Sequence, residues 1–170
     1  AWDLLLGEPP ARVHPVVWIG RLIAYLRDRA PRTRAGGIGL AIIVIVVTVM
    51  AGHLLVGAAA SVPVLPLLLS AFLLKSTFAM RCLLEVSADI GRMIDSDMEG
   101  AKAMLPALVG RDTASLTSGQ ASSAVIESLS ENYVDGILSP IFYYIIFAPF
   151  GLGLEAALAF KAISTMDSMV

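Results

Sequence analysis

Three carboxylates follow one another at steps of four residues in the segment VIESLSENYVDG. If this segment is helical, Glu127, Glu131 and Asp135 lie along one face, because successive residues of a helix turn by about 100°. Like charges at this spacing destabilise an isolated helix by about 0.2–0.5 kcal/mol per pair. No basic residue occurs between Arg111 and Lys161, so the compensating cation must come from elsewhere in the fold or from solution.

The chemistry that the three carboxylates suggest is Mg²⁺ binding. Carboxylate oxygens and an amide oxygen such as that of Asn132 suit Mg²⁺, which keeps several waters and usually shares its shell with substrate phosphates. The residues alone leave two other interpretations open, a solvated helix face and a path for protons or ions. The other side of this helix is predicted to be core, and it carries Ala121, Val125, Ile126, Leu129 and Tyr133.

A second polar cluster, LVGRDT, precedes the acidic segment. The planar guanidinium of Arg111 suits the binding of phosphate or carboxylate, and Asp112 is a further candidate metal ligand. The alternative is a helix-entry turn, in which Thr113 or Ser115 caps the helix and Asp112 is favoured by the helix dipole.

A third polar cluster, FKAISTMDSMV, ends a segment that is otherwise apolar. Lys161 and Ser168 are seven residues apart and therefore share a helix face, and Thr165 and Asp167 lie nearby. Alternatively, the side chain of Lys161 only extends its amine to the membrane surface. Of the two histidines, His14 is a candidate for the same pocket, whereas His53 is interpreted as a packed polar residue.

The composition identifies the kind of protein that positions these clusters. The chain has 170 residues, of which 57% are hydrophobic and 15% are charged, and its mean hydropathy is +0.80. This balance is typical of a membrane protein. The net charge of −2 and the absence of a basic run interleaved with aromatics exclude nucleic acid as an expected partner.

Four apolar segments are predicted to span the membrane. The first covers residues 38–57 without a formal charge, and about 20 residues suffice to cross the hydrocarbon core. Four arginines in RDRAPRTR precede it, which places that end in the cytoplasm by the positive-inside rule. The other predicted spans are 62–80, 137–150 and 152–168. Two helical hairpins of this kind would bring all three polar clusters to one cytoplasmic pocket.

Between the hairpins the chain becomes amphipathic. Apolar residues recur at helical spacing from Leu84 to Leu105, with charged residues on the other faces, and Pro106 is expected to end the helix. The sequence therefore predicts an all-α, polytopic membrane helical bundle with a cytoplasmic amphipathic helix and a polar loop region. We expect one integral membrane domain over residues 1–170, as the N-terminal portion of a longer protein, because no Met opens the chain and no cap follows the last polar cluster.

Taken together, four motifs resemble the CobD/CbiB family of cobalamin biosynthesis proteins. They are DLLLGEPPARVHPVVWIGRLI, LVGRDTASL, AVIESLSENYVDGILSPIF and FKAISTMDSMV. The resemblance implies an integral protein of the inner cell membrane that is an adenosylcobinamide-phosphate synthase, with its site facing the cytoplasm. Such an enzyme joins adenosylcobyric acid to aminopropanol or its phosphate through an amide bond, using ATP and Mg²⁺. A homo-oligomer is compatible with this assignment.

The chain departs from the family pattern at two positions. Glu8 stands where an Asp is usual, which keeps the charge, and Ser164 stands where an Asn is usual, which removes an amide. No Walker-type phosphate loop is present, so nucleotide binding is implied by the resemblance and not by a motif.

The resemblance carries over eight site residues, and three more come from the polar clusters of the sequence itself: His14, Thr165 and Ser168. As catalytic residues we expect Glu131, Lys161 and Asp167, with Asp167 or an acid of the 127–135 segment accepting the proton of the amine. Substrate or phosphate binding is assigned to Arg111, Asn132, His14, Thr165 and Ser168. The metal ligands are expected to be Asp112, Glu127, Glu131 and Asp135. Two other classes of function stay open: a non-catalytic membrane sensor like the AmpE proteins, and an ion or solute carrier.

Overall fold

The computed structural model describes residues 10–78, 80–110 and 112–170. Arg111 and Glu8 lie outside the described residues. The described part of the chain is helical and contains no strand, which confirms the predicted all-α class. Its helices are α1 (Pro15–Arg27), α2 (Arg34–Ala58), α3 (Leu65–Ser76), α4 (Met80–Ser96), α5 (Met98–Met104), α6 (Ser118–Tyr133), α7 (Ser139–Phe147) and α8 (Gly153–Asp167).

The residues group into two compact units. Of the described residues, one unit contains 80–110 and 112–135 and is called the acidic unit below, because it holds the 127–135 carboxylates. The other contains 10–78 and 136–170 and is called the apolar bundle. Each is described by itself.

In the apolar bundle, α8 is the central helix and contacts α1, α2, α3 and α7. Its Ala162 is buried in a core cluster with Ile19 and Ile23 of α1 and with Leu40 and Val44 of α2. A non-helical stretch at residues 59–64 separates α2 from α3, and these two helices pack together. The side chain at position 162 is small, which lets α8 lie close to its neighbours.

Helix α2 has the properties of a membrane-crossing helix. It is 25 residues long, and it buries only the stripe formed by Leu40, Val44, Thr48 and Gly52. Most of the rest of its surface is apolar, with exposed side chains such as Ile38, Ile42, Val46 and Leu54. A helix that is apolar all round and yet mostly exposed is expected in lipid and not in water. The helical run Ser118–Phe150 also passes the test of length and composition for a membrane span.

The other predicted spans contain shorter helices. Within 62–80 the structure forms α3, with 12 residues, and within 152–168 it forms α8, with 15 residues. Both are shorter than the roughly 20 residues that cross the hydrocarbon core without assistance. The two long helical runs suggest membrane association, whereas the four-span topology and the single integral domain stay predictions.

In the acidic unit, α4 and α6 pack against each other and α5 packs against α4. Of the predicted amphipathic stripe, Ile90, Ile94, Ala101 and Leu105 are buried in one core cluster, whereas Leu84 is 46% exposed. The expected continuous helix is wrong, because Asp97 divides it. The Asp97 carboxylate accepts a hydrogen bond from the backbone N–H of Gly100 at 3.0 Å and so starts α5 as a new helix.

Helical structure continues without a break from α6 into α7. The two are joined by a π-helical segment, Val134–Leu138, which contains Asp135. Pro140 follows in the first turn of α7 and is fully buried. A proline inside a helix lacks the N–H for the usual bond and its ring clashes with the preceding turn. The wider π turn accommodates this clash, so Pro140 does not end the helix.

Candidate active site

Helix α6 positions the acidic residues, and it begins with a capping box. The Thr117 hydroxyl accepts a hydrogen bond from the N–H of Gln120 at 3.4 Å, and Gln120 Oε1 accepts one from the N–H of Thr117 at 2.9 Å. The alternative in which Thr113 or Ser115 caps this helix is therefore wrong, because its N-cap is Thr117. Asp112 Oδ1 accepts instead from the N–H of Ala114 at 3.0 Å, which makes a turn before the helix.

The buried face of α6 differs from the predicted one. Ala121 and Val125 are buried as expected, but Ile126 and Tyr133 are 65% and 49% exposed. The remaining buried residues of the helix are small, Ala124 and Ser128. Small side chains let the neighbouring backbone approach closely, which turns the contact face away from the bulkier residues. Glu127 and Glu131 lie beside this buried stripe and are exposed.

A cleft of about 200 Å³ opens beside the two glutamates. One wall comes from α6 and the other from the loop that follows α5. The lining residues are Ala124, Glu127, Ser128 and Glu131 on the helix and Leu108, Val109 and Gly110 on the loop. The structure thus brings the first three residues of the LVGRDT segment, 108–110, next to two of the three predicted carboxylates, within one unit.

Hydrogen bonds join the loop to the helix. The Ser128 hydroxyl donates to the carbonyl of Leu108. The Asn132 side-chain N–H donates to the carbonyl of Ser128 at 2.8 Å and to its hydroxyl at 3.2 Å. Asn132, predicted to bind substrate, therefore turns its amide nitrogen towards its own helix. The hydroxyl of Thr113 donates to the carbonyl of Lys102 at 3.2 Å.

The four predicted metal ligands do not form a complete set. Asp112 and Asp135 lie outside the lining of the cleft, and Glu127 and Glu131 are the two carboxylates within it. Among the described residues, no three His, Cys, Asp or Glu side chains lie close enough together to hold a metal ion. One or two carboxylates suffice, however, for a Mg²⁺ that brings waters and phosphate oxygens as its other ligands. The donors present fit that kind of ion and not an all-protein metal site.

The third polar cluster lies at the end of α8, in the apolar bundle. The hydroxyl of Thr165 donates to the carbonyl of Lys161 at 2.8 Å, and the hydroxyl of Ser168 donates to the carbonyl of Thr165 at 2.9 Å. Both are local bonds to the preceding turn. Lys161 is half-buried and Asp167 is exposed. The predicted meeting of this cluster with the other two in one pocket stays a prediction.

The two histidines have contacts that the sequence did not reveal. His14 is the N-cap of α1, where its Nδ1 accepts a hydrogen bond from the N–H of Val16 at 3.2 Å. His53, predicted to be packed, has a side chain that is 62% exposed, and its Nδ1 lies 2.8 Å from Oε1 of Glu155, whose side chain is 18% exposed. Sequence reasoning missed this pair because 102 positions separate its members. It also missed Ser128, whose place between two acids was its only signal.

Comparison with known proteins gives a consistent result. The family profile described as CobD/Cbib protein matches residues 1–170. A probable cobalamin biosynthesis protein CobD from Methanothrix thermoacetophila is 51% identical over 178 residues, covering 99% of this chain and 56% of that protein. A protein of the same description from Pyrococcus abyssi is 38% identical over 170 residues, with coverage of 99% and 56%.

A more distant relative is the cobalamin biosynthesis protein CobD of Klebsiella pneumoniae, which is 36% identical over 182 residues, covering all of this chain and 55% of that protein. The chain thus spans a little over half the length of these curated relatives. No solved structure matches it.

Proposed function

Because the chain belongs to the CobD/CbiB family, we propose that the protein acts in cobalamin biosynthesis as an adenosylcobinamide-phosphate synthase. It couples the carboxyl group of adenosylcobyric acid to aminopropanol or aminopropanol phosphate and consumes ATP. The observation that carries this proposal is the cleft that Glu127 and Glu131 line together with the 108–110 loop.

The cleft suits the phosphates of a nucleotide that carries Mg²⁺. A triphosphate brings its own oxygen ligands, so Glu127 and Glu131 would complete the coordination shell from the protein side. When bound, Mg²⁺ neutralises part of the charge on the phosphates. We assign Arg111, which directly follows the cleft residue Gly110 in the sequence, and Lys161 to the neutralisation of phosphoryl oxygens.

The reaction forms an amide in two steps. A carboxylate oxygen of the corrinoid acid attacks the terminal phosphorus of ATP, which gives an acyl phosphate and releases ADP. The amine nitrogen then attacks the acyl carbon, phosphate leaves, and the nitrogen loses a proton. The protein aligns the reactants, stabilises the developing charge and accepts that proton, for which Asp167 or Glu131 is the proposed acceptor.

The other predicted residues take supporting roles in this proposal. Asp112 follows the 108–110 loop and Asp135 follows helix α6, and both are further candidate metal ligands. Thr165 and Ser168 offer hydroxyls beside Lys161 for the amino alcohol or its phosphate. His14 caps α1, so its proposed contribution to substrate binding would come in addition to that structural one.

We place the protein in the inner cell membrane as a multi-pass protein whose cleft faces the cytoplasm, where ATP is available. The exposed, largely apolar surface of α2 supports the membrane location. We infer the orientation from four arginines before and at the start of α2, namely Arg27, Arg29, Arg32 and Arg34.

The test is an assay of the full-length protein for ATP-dependent coupling of aminopropanol phosphate to the corrinoid acid, with the product detected by mass spectrometry. We expect product only when ATP and Mg²⁺ are both present. A protein that neither binds Mg²⁺ with nucleotide nor forms product would contradict the proposal and favour a sensor of the AmpE type. Uptake of solute into vesicles without ATP consumption would favour a carrier.

A further inference from the structure

The loop beside the cleft is held at both ends by buried hydroxyl groups. Ser128 is 6% exposed and donates to the carbonyl of Leu108, and Thr113 is 6% exposed and donates to the carbonyl of Lys102. A buried hydroxyl that loses its hydrogen-bond partner is left desolvated and unpaired. Each bond therefore favours one position of its own end of the loop, at Leu108 or at Thr113, over others.

Ser128 is itself oriented by a neighbour on the same helix. Its hydroxyl has one donor and two acceptor sites. It accepts from the Asn132 side chain and therefore has its proton available for the Leu108 carbonyl, so the two bonds run in one direction from Asn132 to the loop. Hydrogen bonds in such a chain polarise and strengthen one another.

Ser128 lies directly after Glu127 and three residues before Glu131, so its bond sets how far the loop backbone stands from both carboxylates. We infer that Ser128 is a positioning residue of the cleft, which fixes the 108–110 backbone opposite Glu127 and Glu131 for the binding of a metal-bound polyphosphate. This inference rests on the proposed function, because the polyphosphate is the ligand proposed there. Ser128 acts through the loop and does not itself take part in the chemistry.

The test compares two serine variants of the full-length protein. Ser128→Ala removes the bond to the loop, whereas the matched control Ser130→Ala removes only a bond of 2.8 Å to the carbonyl of Ile126 on the same helix. We expect faster hydrogen exchange at the backbone amides of the 108–113 loop in Ser128→Ala and no change there in Ser130→Ala. We also expect the Kd for ATP with Mg²⁺ to rise about tenfold in Ser128→Ala alone, since a loop displaced by about 1 Å binds less well.

A second variant covers the other end of the loop. Thr113→Val keeps the shape of the side chain and removes its hydroxyl, so it should raise exchange in the same loop even if Ser128→Ala folds poorly. Unchanged exchange in a folded Ser128→Ala and in Thr113→Val would overturn the inference, as would an unchanged Kd in a variant whose loop exchanges faster. A wild-type protein that binds ATP with Mg²⁺ but forms no product would refute the ligase proposal and leave this inference intact.

Discussion

Glu131 and Glu155 both lie on helices in a largely apolar chain, but the surroundings of their side chains differ. Glu155 is mostly buried, and its carboxylate oxygen lies 2.8 Å from the ring of His53 on another helix. Glu131 is exposed and lines an open cleft, and its helix carries no basic residue. One acid has its partner supplied by helix packing, whereas the other faces a space that a ligand can enter.

This difference separates a structural acid from a candidate catalytic one. Burial of a carboxylate is unfavourable unless a partner is present, and the contact between α2 and α8 supplies that partner for Glu155. Repulsion between Glu127 and Glu131 is small in water but grows when a ligand excludes the water. A bound cation would then offset it. The comparison therefore predicts that loss of Glu131 lowers activity, whereas loss of Glu155 lowers stability.

The largest expected effect is on activity at Glu131. Glu131→Gln removes the charge with little change of shape, and we expect kcat/KM for amide formation to fall about 100-fold or more, as for the loss of a group that stabilises transition-state charge. The melting temperature in detergent should stay within a few degrees of wild type, because the side chain is exposed. Product formation and thermal unfolding are the two measurements.

Glu155→Gln is the matched control for this change. It should lower the melting temperature slightly and leave kcat/KM near the wild-type value. If Glu155→Gln abolished activity and Glu131→Gln did not, the two acids would have the opposite roles from those argued above.

The next largest effect concerns the close packing that places Glu155. A Cβ at Gly153 would lie 2.9 Å from the carbonyl oxygen of Tyr144 and 3.2 Å from the Cα of Ala148, and backbone atoms cannot move away cheaply. Gly153→Ala should therefore lower the free energy of unfolding by about 1–3 kcal/mol. Gly39→Ala is the control, since a Cβ there has no described atom within 4 Å. It should be neutral or stabilising by up to about 1 kcal/mol.

A smaller effect on stability is expected at the N-cap of helix α6. Thr117→Ala removes half of the capping box and should cost about 1 kcal/mol. Backbone amide hydrogen exchange should become faster in the first turn of α6. Glu127 and Glu131 lie further along the same helix. Ser115→Ala, at a position that does not cap the helix, should leave this exchange unchanged. Equal effects from both variants would show that the capping box does not hold the helix start.

Periodicity was sufficient to predict part of this structure from the sequence. The apolar stripe of α4 and α5 follows from the spacing of Ile90, Ile94, Ala101 and Leu105, and the long apolar run of α2 follows from its composition. Both features depend on neighbours within a few turns of helix. The break at Asp97 was missed because an aspartate at a helix surface and one at a helix start look alike in sequence.

The detail of the cleft depends on contacts between distant residues. The spacing of the acids is visible in the sequence. The pattern predicts that the bulkier residues of α6 form its contact face, whereas in the structure Ala124 and Ser128 allow the closer approach. The bond from Ser128 to Leu108 joins residues 20 positions apart. Tertiary packing decides such contacts, and a single sequence gives no measure of it.

The smallest expected effect is the coupling between His53 and Glu155, and it also reports on their surroundings. His53 is the twentieth of the 25 residues of α2, about one turn before the end of the predicted span 38–57, and its side chain is 62% exposed. A double-mutant cycle of His53→Ala and Glu155→Gln should then give a coupling of about 0.5–1 kcal/mol, as for a partly exposed pair. A coupling well above 2 kcal/mol would contradict a water-facing pair, because charges attract more strongly where the dielectric is low.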